Sequence, residues 1–579
     1  MENADLVRIL SDIADILELT GGNPFRVRAY RQAADTIDTL PVSLAVLRSR
    51  DELRTVPGIG PRIADLIEEA LDRGVSPERE RLSRQVPAGV LEMLRLEGVG
   101  PRTAASVWQL GIVDLEGLEA AARSGELRRL KGMGPVRSKA IVEAILRYRG
   151  RAGRTQLHRA LFYADAILAR LRAVPAVVRA EVAGSLRRRK ETIGDLDLLV
   201  ASEDAGPCMR AFTAMPEVKR VIAAGATKAS VELTIGLQAD LRVVAPSTFG
   251  AALHYFTGSK DHNVALRTRA VRLGLKVSEY GVFDEEGRRL GGEAEEDVFR
   301  LVGLPWIPPE LREGAGELEA ALEGRLPHLV EERDVLGDLH AHTRPASSDA
   351  RSTLAELAAE AGRLGRRYLA ITEHSRARPL GLDAHGLRRH AAAVRALDRD
   401  LGGRPRLLAG IEVDILGDGS LDLPHDVLAS LDWVVASIHT GFHDPPERIT
   451  ARLLAAIRSG VVDAIGHPSG RQLGHRDPYA FDLGAVLEAA RDHGVALEVN
   501  AMPDRLDLAD RACRLAKEAG VRLVIDSDAH NARHLANLRY GVWVARRGWL
   551  EADDVANTRP LEELLATRRR RGEELGAGA

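Results

Sequence analysis

Cysteine is nearly absent: the 579 residues contain two, Cys208 and Cys513. They lie in segments assigned to different domains, so no disulfide framework holds this chain, and a reducing cytoplasm is the expected compartment. No apolar run approaches the ~20 residues that a membrane span needs. The first residues are acidic and amphipathic, without the basic segment and apolar stretch of a signal peptide, so none is expected. Positive charge is not in excess either. The net charge is −3; residues 1–150 sum to zero, 151–310 to +3 and 311–579 to −6. A global field that attracts nucleic acid is thereby excluded, and any DNA affinity has to come from local patches. The run Arg187-Arg188-Arg189-Lys190 is one such patch. Arg568 to Arg571 form another basic run, read as a solvated helix end. With 45% hydrophobic and 28% charged residues the balance is ordinary for globular chains, and the length calls for three or more domains.

Three carboxylates carry the strongest chemical signal. Gly184-Ser185-Leu186-Arg187-Arg188 precedes Gly194-Asp195-Leu196-Asp197, and the apolar residues continue through Val200 as a strand. Alternation along a strand points Asp195 and Asp197 to one face and Leu196 to the other. Two carboxylates on one face call for a cation. Asp240, inside a second strand-like run, completes a trio suited to a two-metal site for in-line phosphoryl transfer. The Gly-Ser turn offers N–H groups and a hydroxyl to phosphates, and Arg188 offers a charged fork.

These residues resemble the palm of the family X DNA polymerases, the group that includes DNA polymerase beta. Tyr255-Phe256-Thr257-Gly258-Ser259, followed by Asn263 and Arg267, resembles that family's thumb-side nucleotide pocket, and Lys276 to Gly281 fits as well. The resemblance implies that Ser185 and Arg188 hold the triphosphate and that Gly184, Gly194 and Gly258 belong to the nucleotide-binding pocket. It implies that Tyr255 and Phe256 pack near the sugar and screen out a 2′-hydroxyl, that Asn263 contacts the incoming base, and that Arg267 contacts the template strand. It implies Mg²⁺ held by Asp195, Asp197 and, for one ion, Asp240.

Upstream, a pattern of apolar-x-Gly-apolar-Gly-Pro occurs three times. The glycine pairs are Gly58 and Gly60, Gly98 and Gly100, and Gly132 and Gly134. The glycines permit a tight turn and close backbone approach, and the proline suits the first turn of a following helix. Exposed N–H groups there can grip a phosphate without reading sequence. The repeats resemble helix-hairpin-helix DNA-binding motifs, the first placed to hold the downstream side of a gap and the second the primer strand. The polymerase beta lysine that removes an abasic sugar is matched here by Leu66, and the first lysine of the chain is Lys131. No lysine-based lyase is expected in residues 1–130; the amine of Met1 is the alternative nucleophile.

After residues 308–334, read as a linker, strand-like segments alternate with helical ones in seven βα-like units. His340, His342, Asp349, His374, Glu412, His439, His467, Asp528 and His530 stand at or just after the strand ends, where a βα barrel converges. Six imidazoles and three carboxylates suit a multinuclear cluster of Zn, Mn or Fe. This half resembles the PHP (polymerase and histidinol phosphatase) family, whose nine ligands match these positions and imply a Mn²⁺ or Zn²⁺ cluster. Around Asp349 the chain departs from the family: Arg344 to Ser348 lengthen the spacing by two, and Ala350 replaces a glycine.

The chain as a whole resembles bacterial family X polymerases with a PHP domain. The implied architecture is a helical domain with a helix-hairpin-helix (1–85), fingers with two more (86–150), an α+β nucleotidyltransferase palm (151–246), a thumb (247–307), the linker (308–334) and a distorted α/β (βα)7 barrel (335–579). The implied activity is DNA-directed polymerisation from dNTPs on gapped or nicked double-stranded DNA, with a 3′-5′ exonuclease or other 3′-phosphoesterase in the barrel and no membrane. The alternatives are a phosphoesterase whose polymerase part positions DNA, and a non-catalytic DNA-end scaffold.

Overall fold

The computed structural model describes residues 3–38, 44, 48, 53–56, 58–96, 98–130, 132–151, 154–344, 350–378, 380–442 and 444–566. Asp349 and the run Arg568 to Arg571 lie outside the described residues. The chain divides into two compact units, residues 1–152 and 153–579. Among the described residues no helix is long and apolar enough to cross a membrane. Cys208 and Cys513 are buried and unbonded.

The first unit is helical, and its three glycine repeats share one geometry. Gly58, Gly98 and Gly132 have φ of +86°, +79° and +81°, a region that side chains with a Cβ avoid. The apolar residue between each glycine pair, Ile59, Val99 or Met133, is buried and folds the turn onto the core. Helices then start at Pro61, Pro101 and Pro135. Leu66 lies buried inside Pro61–Arg73, so that position offers no nucleophile.

The second unit begins with a five-stranded sheet in the order Arg179–Val182, Asp195–Ala201, Gln238–Val244, Lys228–Leu233, Val218–Ala224. The central pair, Asp195–Ala201 and Gln238–Val244, is parallel. Leu196, Leu198 and Val200 enter the large core on one face. Leu199 and Ala201 pack on the other against Phe249, Ala252 and Leu253 of the helix Phe249–Thr257. Alternation therefore sends Asp195 and Asp197 toward that helix. A three-stranded antiparallel sheet follows, spanning Lys276–Ser278, Gly281–Phe283 and Arg289–Gly291.

Residues 308–334 form a packed connector. Arg312 is fully buried and donates to Glu295 at 2.7 Å, and Glu317 meets buried His262 at 2.8 Å. Seven parallel strands come next, in sequential order from Gly337–Asp338 to Leu523–Asp526. A bridge between Ala341 and Ala529 nearly closes the barrel. The apolar side chains of the first sheet and of the barrel form one contiguous core.

Candidate active sites

In the first sheet, Asp197 and Asp240 are register partners on the parallel strands. A methyl group at Gly184 would fall 2.0 Å from Asp197 Oδ2, and its φ is +56°, so only glycine lets the turn close on this carboxylate. Burial, then the charges of Asp195 and Asp240, push the Asp197 carboxyl up to about 7. A bound divalent cation would relieve that repulsion, and the donor set of hard oxygens fits one. Asp240 is turned aside: its carboxylate accepts from Gln238 at 2.9 Å and lies 3.3 Å from the Lys228 ammonium. Among the described residues no group of three ligand atoms in this sheet gathers within 4.8 Å, as three groups in the barrel do.

The turn Gly184–Arg187 and the Thr257-Gly258 corner meet. Arg188 Nη1 donates to the Thr257 carbonyl at 2.5 Å, and a Cβ at Gly258 would lie 3.3 Å from the same nitrogen. Gly194 borders the aspartate strand beside Arg154, and Ser185 lies in the turn. Tyr255 and Phe256 stack edge to face at 5.1 Å. Asn263 donates to the Tyr255 carbonyl at 2.8 Å, while its own buried Oδ1 has no hydrogen-bond partner among the described residues. Arg267 bonds the Asn263 carbonyl.

The run Arg187 to Lys190, expected as a free DNA patch, is engaged inside the protein, which corrects that expectation. Arg187 pairs with Glu295 at 2.5 and 2.8 Å. Arg188 donates to Glu313 at 2.9 Å, Arg189 lies 4.2 Å over the Trp543 ring, and Lys190 lies 3.3 Å from Glu313. Their acidic and aromatic partners stand more than a hundred residues away, so no local pattern betrays them. In the first unit the second glycine of each pair, Gly60, Gly100 or Gly134, faces open space, which leaves the helix start accessible.

The barrel gathers its candidate ligands around Glu412. The Oε2 of Glu412 lies 2.7 Å from His374 Nδ1, 3.5 Å from His340 Nε2 and 3.7 Å from His342 Nε2. Its Oε1 lies 3.0 Å from His467 Nε2 and 3.3 Å from His439 Nε2. Asp528 Oδ1 completes the nest at 3.2 Å from His342 and 3.6 Å from His530. His467 and Asp528 hold φ of +28° and +50°, left-handed conformations that cluster at functional sites.

The fit to a cation cluster is direct. His340 Nε2, both nitrogens of His342, His374 Nδ1 and Glu412 Oε2 are buried without hydrogen-bond partners among the described residues. Burial pushes His342 and His467 down to about 3, which keeps them in the neutral, ligating form. At His439 burial works against the charge, but Glu412 and Asp414 outweigh it and push the imidazole up to about 9.

Four residues were not foreseen from the sequence. Glu498 Oε1 lies 2.6 Å from His340 Nδ1, Asp414 Oδ1 lies 3.1 Å from His439 Nδ1, and Asn500 donates to Asp528 at 3.0 Å. Such contacts fix the tautomer and tilt of ligating rings. Arg505 brings its guanidinium within 3.6 Å of Asp528. Glu498 and Asn500 sit in an alternating strand, and two polar side chains on one face of a buried strand were the available signal.

Comparison with known proteins agrees with this geometry. Family models match residues 1–76 (helix-hairpin-helix domain), 90–145 (SAM-like helix-hairpin-helix tandem), 252–313 (DNA polymerase beta thumb) and 338–520 (PHP domain). The chain is 38% identical over 576 residues to the DNA polymerase/3′-5′ exonuclease PolX of Bacillus subtilis (strain 168), covering 98% of this chain and 99% of the relative. It is 35% identical over 203 residues to a probable phosphatase of Caldanaerobacter subterraneus subsp. tengcongensis, covering 33% of this chain and 75% of the relative. A probable phosphatase of Thermoanaerobacter sp. (strain X514) is 32% identical over 251 residues, 41% of this chain and 98% of the relative. Near-complete coverage at that identity, with a polymerase beta thumb and a PHP domain in one polypeptide, means that the chain belongs to the bacterial family X DNA polymerases that carry a PHP domain.

Proposed function

We propose that this protein is a repair polymerase that fills gaps in double-stranded DNA from dNTPs and cleans 3′-ends with a hydrolase in its barrel. One observation carries the first half: Asp197 and Asp240 share a register on parallel strands, with the Gly184–Arg187 turn closed against Asp197. Asp195, Asp197 and Asp240 hold Mg²⁺ at the primer end, and the barrel nest holds Mn²⁺ or Zn²⁺. Bound there, these cations lower the pKa of a hydroxyl or water and neutralise the leaving phosphate.

In the palm, Ser185, Gly184 and Arg188 take the triphosphate through the N–H groups, hydroxyl and guanidinium of one turn. Asp240 accepts the proton of the primer 3′-hydroxyl. The edges of Tyr255 and Phe256 fill the space that a 2′-oxygen needs, and Asn263 contacts the edge of the incoming base. Arg267 faces the template.

In the barrel, His340, His342, His374, Glu412, His439, His467, Asp528 and His530 form the ligand set, with Asp349 as the ninth. Arg505 places a charged fork where it can meet the scissile phosphate. The glycine turns at 58–60, 98–100 and 132–134 grip the DNA backbone on both sides of the gap. The substrate implies a cytoplasmic location.

Primer extension on one-nucleotide-gapped DNA with Mg²⁺, followed by incubation with Mn²⁺ and no dNTP, tests this reading. Extension in the first and 3′-shortening in the second are expected. Shortening without extension would favour a phosphoesterase, and neither would leave a scaffold.

A further inference from the structure

The turn that takes the triphosphate is a poor candidate to hold its own shape. Gly184–Arg187 is a single helical turn of four residues, far below the length at which a helix is self-stable. Arg189 follows it in a left-handed conformation at φ +57°, which persists only where the surroundings fix it. Those surroundings come partly from the thumb, through Glu295 and Thr257, and from the connector, through Glu313. The rest come from the barrel, more than 280 residues onward. Arg547 Nη1 donates to the Arg188 carbonyl at 2.8 Å and to Glu313 at 2.9 Å, while its Nη2 donates to Asp510. Trp543 stacks under Arg189. Arg471 pairs with Glu191 at 2.6 Å. Arg547 and Arg471 are both buried, so these contacts are desolvated and structurally specific.

We propose that Arg547, a barrel residue, is a positioning residue for nucleotide transfer in the palm: it pins the Arg188 carbonyl and shares the Glu313 carboxylate, so that the phosphate-binding turn is templated by the hydrolase domain. The inference rests on the polymerase reading above. Glu313 is the pivot. Three cations surround it, Arg188, Lys190 and Arg547. With Arg547 in place, its charge is divided and Arg188 keeps net positive potential toward an incoming phosphate. Without Arg547, Glu313 is balanced by Arg188 and Lys190 alone, and the guanidinium meant for the triphosphate is held as a counter-ion. The Arg188 carbonyl also loses its anchor. Both effects weaken dNTP binding more than they slow the chemical step, because no reacting atom is touched.

The full-length Arg547→Met protein, assayed on gapped DNA, is expected to raise the KM for dNTP about tenfold, equivalent to ~1.4 kcal/mol, with kcat changed less than about threefold. Its Mn²⁺-dependent 3′-shortening stays at the wild-type rate. Adding Glu313→Gln should restore most of the KM, since the surplus charge is then gone; a merely structural role for Arg547 predicts a further loss instead. If Arg547→Met does not fold, Trp543→Leu releases the same turn from its other barrel contact and should shift KM in the same direction. An unchanged KM in a folded Arg547→Met or Trp543→Leu protein overturns the proposal. Wild-type protein that incorporates no dNTP at all would instead sink the polymerase reading beneath it.

Discussion

His374 and Glu412 are register partners on adjacent parallel strands, and their Nδ1 and Oε2 atoms lie 2.7 Å apart. One carboxylate at this point touches five imidazoles, so the barrel's ligand nest has a hub rather than a ring of equals. Glu412→Gln should therefore lower Mn²⁺-dependent 3′-shortening by about two orders of magnitude or more, as loss of a group that spans the site. Gap filling by the same protein should remain within about twofold. A 3′-labelled primer followed over time measures the first, and dNTP incorporation the second.

Metal should also stabilise the barrel independently of activity. Five buried donor atoms without hydrogen-bond partners among the described residues converge only in the folded state, and cation binding there adds RT ln(1 + [L]/Kd), about 2.7 kcal/mol at a hundredfold excess over Kd. Titrating Mn²⁺ into chelator-treated protein should raise its thermal midpoint, and His342→Ala with Asp528→Ala should flatten that rise. A midpoint indifferent to Mn²⁺ in the wild type would contradict the ligand assignment.

The helix-hairpin-helix turns separate two roles by residue. Gly100 has φ −79° and nothing within 4 Å of an added methyl, so Gly100→Ala should change stability by no more than about 0.5 kcal/mol. If a DNA phosphate approaches that surface, the same methyl should weaken binding to gapped DNA several-fold, whatever the sequence. Gly98, at φ +79°, should lose stability as well, about 1–2 kcal/mol on Gly98→Ala. Melting and fluorescence anisotropy of the two variants distinguish the effects.

Glu295 links the thumb to the Gly184–Arg187 turn and carries a pH signature. Burial alone would raise its carboxyl; Arg187 and Arg312 outweigh it and hold the group well below its ordinary 4.5. A depressed folded-state value stabilises the fold above the unfolded pKa and loses that stabilisation as pH falls below it. Glu295→Ala should cost about 3–5 kcal/mol at pH 7, the usual penalty for orphaning buried partners. The gap from wild type should shrink progressively as pH is lowered below about 4.5. Thermal melts across pH 3–7 read the trend.

The sequence disclosed those features whose chemistry is local. Asp195 and Asp197 lie two apart on one strand, and the glycine repeats carry their turn geometry in six residues. In the barrel a histidine or acid interrupts an apolar strand near its C-terminal end, as His374 does in Tyr368–His374 and Glu412 in Arg406–Asp414. Long-range pairings were silent. Arg187 to Lys190 read as a DNA patch because Glu295, Glu313 and Trp543, which engage them, are distant in sequence. The pairings of Glu498 with His340 and of Asp414 with His439 stayed hidden for the same reason: a carboxylate that orients an imidazole is defined by which strand lies beside it, and strand order is a property of the folded barrel.

One polypeptide carries two separable metal-dependent sites for phosphoryl chemistry, and a single gel can pull them apart. Wild-type, Asp197→Ala and His342→Ala/Asp528→Ala proteins are each incubated with one-nucleotide-gapped DNA, with dNTP and Mg²⁺ and separately with Mn²⁺ alone. Asp197→Ala should lose incorporation by about three orders of magnitude or more while still binding and shortening the primer, and the barrel double variant should show the reverse. Incorporation by Asp197→Ala, or loss of both activities from either lesion, would contradict it.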